Sequence, residues 1–172
     1  EVKTINERDA FLVHNCRSNM NNGVGYNRRL PELKNLALGT DGIGADMFSE
    51  MKSAYFKHQD EGGPFWPGDF LKSLAAGNRI LERLFDRSFG RLEAGYAADL
   101  VLADYASPTP LVPENIAGHM VFGMGSGIVE SVMINGRFVM RERKFPLDTA
   151  GIYGQAREEA ARLWERMNSI EP

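Results

Sequence analysis

Asp41 lies in Leu38-Gly39-Thr40-Asp41-Gly42, directly after a short apolar run, and an aspartate so placed can do two kinds of chemistry. Its carboxylate can ligate a hard or borderline cation. It can also take a proton from a metal-bound water, because the cation lowers that water's pKa toward neutrality. The plainer role is a turn or capping aspartate among glycines, and spacing alone leaves both open. His14 closes a second apolar run and is followed by Asn15, Arg17, Ser18 and Asn19, which could line the same edge. An imidazole there either faces a site or is satisfied by backbone at a strand end. A zinc site needs three or four ligands, and one carboxylate with one candidate imidazole falls short. The segment is therefore not expected to hold a metal alone.

The remaining candidates favour scaffolding. His58 falls near a helix end, and His119 precedes Gly123, Gly125 and Gly127. The run Gly123-Met124-Gly125-Ser126-Gly127 lacks both a preceding strand and the third-glycine spacing of a dinucleotide loop. Cys16 would be a nucleophile only with a base beside it.

The elements that must position these groups follow from periodicity. Phe11 to His14 reads as a strand buried on both faces, followed by a polar, Asn-rich loop from Asn15 to Asn27. Pro31 fits the first turn of a short helix through Leu30, Leu33 and Lys34, and Leu36 to Gly39 gives a second buried strand. Strand, loop, helix, strand is a parallel βαβ signature, and such folds place ligand groups at the carboxyl edge of the sheet. Asp46 can cap a helix in which Met47, Met51 and Tyr55 recur every four residues, with Phe48 beside them. Gly62 to Gly68 interrupts it, and a second amphipathic helix runs through Leu71, Leu74, Ile80, Leu81 and Leu84 to a break near Phe89-Gly90. Beyond Gly90 come strand-like Ala98 to Ala103 and a loop at Ser107 to Pro110. Val129 to Ile134 and Arg137 to Met140 then flank Asn135-Gly136, the pair that type I′ hairpins prefer. Tyr153, Ala156, Ala160, Leu163, Trp164 and Met167 mark a closing surface helix, with Glu158 and Arg162 spaced as an ion pair.

The 172 residues are 43% hydrophobic and 25% charged, the profile of a globular protein able to bury a core. Twenty Lys and Arg against 23 Asp and Glu leave a net charge of −3, with no basic block to attract a phosphate backbone, so nucleic acid is not an expected partner. No apolar run approaches bilayer-spanning length, so no membrane partner is expected. Cys16 alone excludes an intrachain disulfide and fits a reducing, cytoplasmic setting. The start, Glu1-Val2-Lys3-Thr4-Ile5, has no methionine and reads as the interior of a longer chain.

The run His14-Asn15-Cys16-Arg17-Ser18-Asn19, followed by Leu38-Gly39-Thr40-Asp41-Gly42, resembles the amidohydrolase superfamily. The similarity is to its chlorohydrolase and aminohydrolase group, which includes guanine and cytosine deaminases and triazine hydrolases. Gly39 to Phe48 resembles an aminohydrolase branch associated with selenium and purine metabolism. Gly90 to Leu102 resembles the family's return from its barrel to a small β-sandwich, and Val129 to Val139 its closing strand pair.

The resemblance implies an α/β fold: the last part of a (β/α)8 metallo-hydrolase barrel, which typically needs about 250 residues in all, plus part of a small β-sandwich. Residues 1–89 would carry the last two barrel strands and their helices, 90–145 part of the composite sandwich, and 146–172 the terminal helix. Asp41 matches the family's last-strand aspartate, implying a metal ligand and catalytic base. His14, Ser18 and Asn19 match a motif beside the substrate, not itself a metal ligand. Cys16 departs from the usual proline.

The implied whole is a hydrolase using a divalent metal, zinc or iron, to cleave a carbon–nitrogen bond other than a peptide bond in a small substrate such as a nitrogen heterocycle. This segment alone would be inactive, and it would be a homo-oligomer or associate with the missing half. The alternatives are a non-catalytic α/β binding or assembly domain, or a dechlorinating or inactive member of the same family.

Overall fold

The computed structural model describes residues 1–170 as an α/β chain; the last two residues of the expected 146–172 helical segment lie outside the described residues. Helix α1 (Val2–Glu7) leads into strand β1 (Leu12–His14), which pairs in parallel with β2 (Leu36–Leu38), bringing His14 opposite Leu38. Both strands therefore end at the same edge, and Asp41 follows three residues later. All three residues of β2 are buried. β1 is not buried on both faces as its composition suggested. Val13 is 45% exposed, and β1 has one strand neighbour among the described residues.

The Asn15–Asn27 segment is also more ordered than a loop, since helix α2 (Cys16–Asn21) occupies its first half. Six residues rich in Asn and Ser make a poor isolated helix. Tertiary contact supplies the difference, with Cys16 and Ser18 buried. Around Pro31 the short helix is a single 3-10 turn, Leu30–Glu32, which inserts Leu30 fully into the interior.

Helix α3 (Met47–Asp60) starts where expected, since Asp46 Oδ1 accepts the Ser49 N–H at 3.1 Å. Helix α4 (Pro67–Phe85) starts with Pro67 in its first turn, where the missing N–H costs nothing, and Asp69 reaches back to the Trp66 N–H at 3.1 Å. Met51, Ala54 and Tyr55 of α3 meet Phe70 of α4, with Cys16, Leu38 and Val121 completing the core. The Tyr55 and Phe70 rings pack edge to face with centroids 6.2 Å apart.

Beyond Gly90, β3 (Leu100–Ala103) joins an antiparallel sheet of order β3-β4-β5, with β4 spanning Val129–Ile134 and β5 Arg137–Met140. Asn135 and Gly136 have φ of 49° and 76°, as a type I′ turn requires. Between β3 and β4 the short helix α5 (Ile116–Gly118) runs into a π-helical turn, His119–Gly123. Helix α6 (Thr149–Asn168) has no buried residue, and Arg162 pairs with Glu159 at 2.6 Å rather than with Glu158. Three residues is also neighbour spacing on a helix. Among the described residues no helix is long and apolar enough to cross a membrane.

The approach to Asp41 depends on Gly39, whose N–H continues the ladder to the His14 carbonyl at 3.1 Å. A Cβ there would lie 2.6 Å from Asn15 Oδ1 and 2.7 Å from Val13 Cγ1. Gly39→Ala is expected to destabilise the fold by about 1–3 kcal/mol, read as a lowered urea midpoint with unchanged slope.

Candidate functional site

Asp41 leaves β2 in the left-handed region, φ 53°, a conformation that aspartate tolerates better than most residues. Its side chain is anchored at both oxygens. Ser18 Oγ–H donates to Oδ2 at 2.7 Å and the Gly42 N–H donates to Oδ1 at 2.8 Å. These bonds, Ser18's first, hold its carboxyl below the usual carboxylate range, so it is ionised at neutral pH. Ser18 is buried, and Asn22 Nδ2 donates to its Oγ at 3.3 Å.

The loop bearing Asp41 is fastened by Arg17. Arg17 Nε donates to Glu50 Oε2 at 2.6 Å and its backbone N–H to Oε1 at 3.2 Å, while Nη2 donates to the Gly44 carbonyl at 2.6 Å. Glu50 is fully buried on α3 and the Arg17 side chain is only 20% exposed. One guanidinium thus links α2, α3 and the loop that bears Asp41.

The sequence candidates separate in space. Ser18 reaches Asp41. Asn19 instead lines a cleft of about 290 Å³ with Met20, Tyr26, Lys57 and Glu61. His14 is buried at 4% exposure, edge-on to Tyr26, and its Nε2 is the one buried side-chain nitrogen or oxygen among the described residues with no hydrogen-bond partner. His58 is buried and stacked on Phe65. Its Nε2 accepts the Phe65 N–H at 2.8 Å and its Nδ1 pairs with Tyr26 Oη. His119 has Tyr105 Oη at 2.9 Å and Thr109 Oγ1 at 3.0 Å. Cys16 is no nucleophile, because burial, then Glu50, pushes its thiol up to about 11.

Sequence reasoning placed Arg17 beside the edge but missed its tie to Glu50, and it missed Glu50 and Asn22 altogether. Glu50 falls one residue before Met51 on the inner stripe of α3, where a carboxylate is rarely placed without a partner.

Residues 1–139 match the model of the amidohydrolase family. The chain belongs to that family. This amidohydrolase chain is 30% identical over 96% of its length to a 5-methylthioadenosine/S-adenosylhomocysteine deaminase of Pelotomaculum thermopropionicum, covering 40% of that protein. It is 28% identical over 92% of its length to a 5'-deoxyadenosine deaminase of Methanococcus maripaludis, covering 39% of it. A Xanthomonas campestris adenosine deaminase with bound zinc superposes with a TM-score of 0.81 at 26% identity, over 95% of this chain and 40% of that one. The chain thus spans about 40% of the length of these relatives.

Asp41 fits one position in a metal site, since a carboxylate has about four acceptor sites and two carry the bonds above. Among the described residues no group of three or more His, Cys, Asp and Glu is placed to hold a metal. Further ligands would come from beyond them.

Two expectations follow. Arg17→Ala leaves the Glu50 charge buried and unpaired, so a loss of about 3–5 kcal/mol is expected in chemical denaturation. Arg17→Lys should not recover it, because one ammonium cannot reproduce the fork between Glu50 and Gly44. Burial lowers the pKa of His14 and of His58 from the ordinary 6.5. The unfolded chain therefore binds protons that the folded chain refuses, and stability, full above about pH 6.5, falls as the pH drops below it. Urea midpoints at about pH 7.5 and about pH 5.5 should show this, with a smaller difference in His14→Gln.

Proposed function

We propose that the protein carrying this chain is a metal-dependent amidohydrolase that releases ammonia from an aminated nitrogen heterocycle, with Asp41 as metal ligand and proton acceptor. The observation that carries this reading is the ionised Asp41 carboxylate, held by Ser18 and Gly42 at the carboxyl edge of a parallel strand pair in an amidohydrolase chain. The names of its relatives, adenine-nucleoside deaminases, make an adenine nucleoside the substrate to try first.

On this reading β1 and β2 are the last strands of the (β/α)8 barrel within residues 1–89. The β3-β4-β5 sheet, within 90–145, is part of the composite sandwich. The exposed apolar residues Val13, Val101, Ile134 and Phe138 are then faces that another part of the protein, or a second copy, covers. Burial of Cys16, the single cysteine, suits a cytoplasmic location.

Asp41, with ligands from outside the described residues, would hold a divalent ion, zinc as in the Xanthomonas structure or iron, whose chemistry would be to lower the pKa of a water. Asp41 would accept the proton that a water gives up as its oxygen adds to the amine-bearing ring carbon. The carbon–nitrogen bond then breaks, and the nitrogen leaves as ammonia with the proton Asp41 returns. His14, Ser18 and Asn19 border the substrate on this reading, and the unpartnered His14 Nε2 is a group a ligand could satisfy.

The test is Asp41→Asn in the full-length protein. Turnover of 5'-deoxyadenosine, followed as ammonia release, should fall by about 100-fold or more, and metal retained after dialysis should drop. Unchanged turnover and unchanged metal content would remove Asp41 from both roles.

A further inference from the structure

Ser18 is tied to the Asp41 carboxylate more closely than a residue that merely borders substrate needs to be. It is buried, its Oγ is 2.7 Å from Asp41 Oδ2, and it lies 23 residues earlier, on another element. A hydroxyl has one proton to give. Asn22, one helical turn on, donates its amide N–H into Ser18 Oγ at 3.3 Å, occupying an acceptor site, so the serine proton points at Asp41. Donation therefore runs one way, from Asn22 to Ser18 to Asp41.

At the other oxygen the Gly42 N–H is fixed by the backbone of the same turn. The carboxylate is thus clamped across its plane by two donors from two elements, leaving its remaining lone pairs in a single orientation. Arg17, next to Ser18, ties α2 to Gly44 on the far side of the turn, which fixes the distance this bond must span.

We propose that Ser18, oriented by Asn22, is a positioning residue that sets the direction in which Asp41 presents its free lone pairs to a metal and to the water proton. The inference rests on the role given to Asp41 above. Outer partners of a ligating carboxylate are typically worth about 10–100-fold in metal affinity or activity when removed.

The experiment uses full-length protein, stripped of metal, with zinc affinity read by chelator competition and turnover on 5'-deoxyadenosine read separately as kcat and KM. Ser18→Ala should weaken zinc by about 10-fold or more and lower kcat with little change in KM, and Ser18→Thr, which keeps the hydroxyl, should recover most of both. Asn22 is exposed, so Asn22→Asp folds; its carboxylate accepts the serine proton and diverts it from Asp41, and both losses should reappear. If Ser18→Ala does not fold, Asn22→Asp decides alone.

Wild-type affinity and kcat in a folded Ser18→Ala, or in Asn22→Asp when only that variant folds, overturn the inference while Asp41→Asn still loses both. Wild-type affinity and turnover in Asp41→Asn itself overturn the role of Asp41, and this inference with it.

Discussion

A buried charge pair, Arg17 with Glu50, is the constraint on which the candidate site depends. Glu50 is carried fully inside by α3, and a carboxylate there is tolerable only with a matching donor set. Arg17 provides it from α2 with two N–H groups, then uses a third to hold the Gly44 carbonyl. Its planar fork suits a task that spans three segments. Because α2 is too short to be stable in isolation, this anchor and the burial of Cys16 and Ser18 are what define it as a helix. The Ser18 hydroxyl reaches Asp41 only because that helix is held where it is.

The parts of the fold legible from sequence are those encoded by neighbours in the chain. Asn135-Gly136 selects its turn by backbone conformation alone, Asp46 caps its helix by accepting an N–H three residues on, and Pro67 tolerates only a few positions. Helix α2 was hidden because Asn and Ser favour turns locally, and the compensation comes from Glu50, 33 residues distant. The exposure of Val13 was hidden too, because an apolar residue reports preference and not whether a neighbour exists to meet it. In the site, Asp41 was legible from its place after a strand. The bond from Ser18 was not, since no periodicity links residues on different elements.

The two sheets differ in how they are supported. The parallel pair is backed by α3 and α4 with an aromatic core, whereas the antiparallel sheet keeps Val101, Ile134 and Phe138 open to water. Asp46 connects the two halves of the chain, because the oxygen that binds Ser49 Oγ also accepts from Ser126 Oγ at 3.0 Å. The same short stretch after β2 thus carries the Asp41 carboxylate and a tie to the region that precedes β4.

The left-handed backbone at position 41 has an evolutionary corollary. Asparagine and glycine occupy that conformation as readily as aspartate does, so a lineage could discard the acid there and keep its architecture whole. Asparagine would keep an acceptor for the buried Ser18 hydroxyl, whereas glycine would leave it without one. If the acid is the proton acceptor proposed above, a member carrying asparagine there would keep this backbone, and shape alone would not tell the two apart.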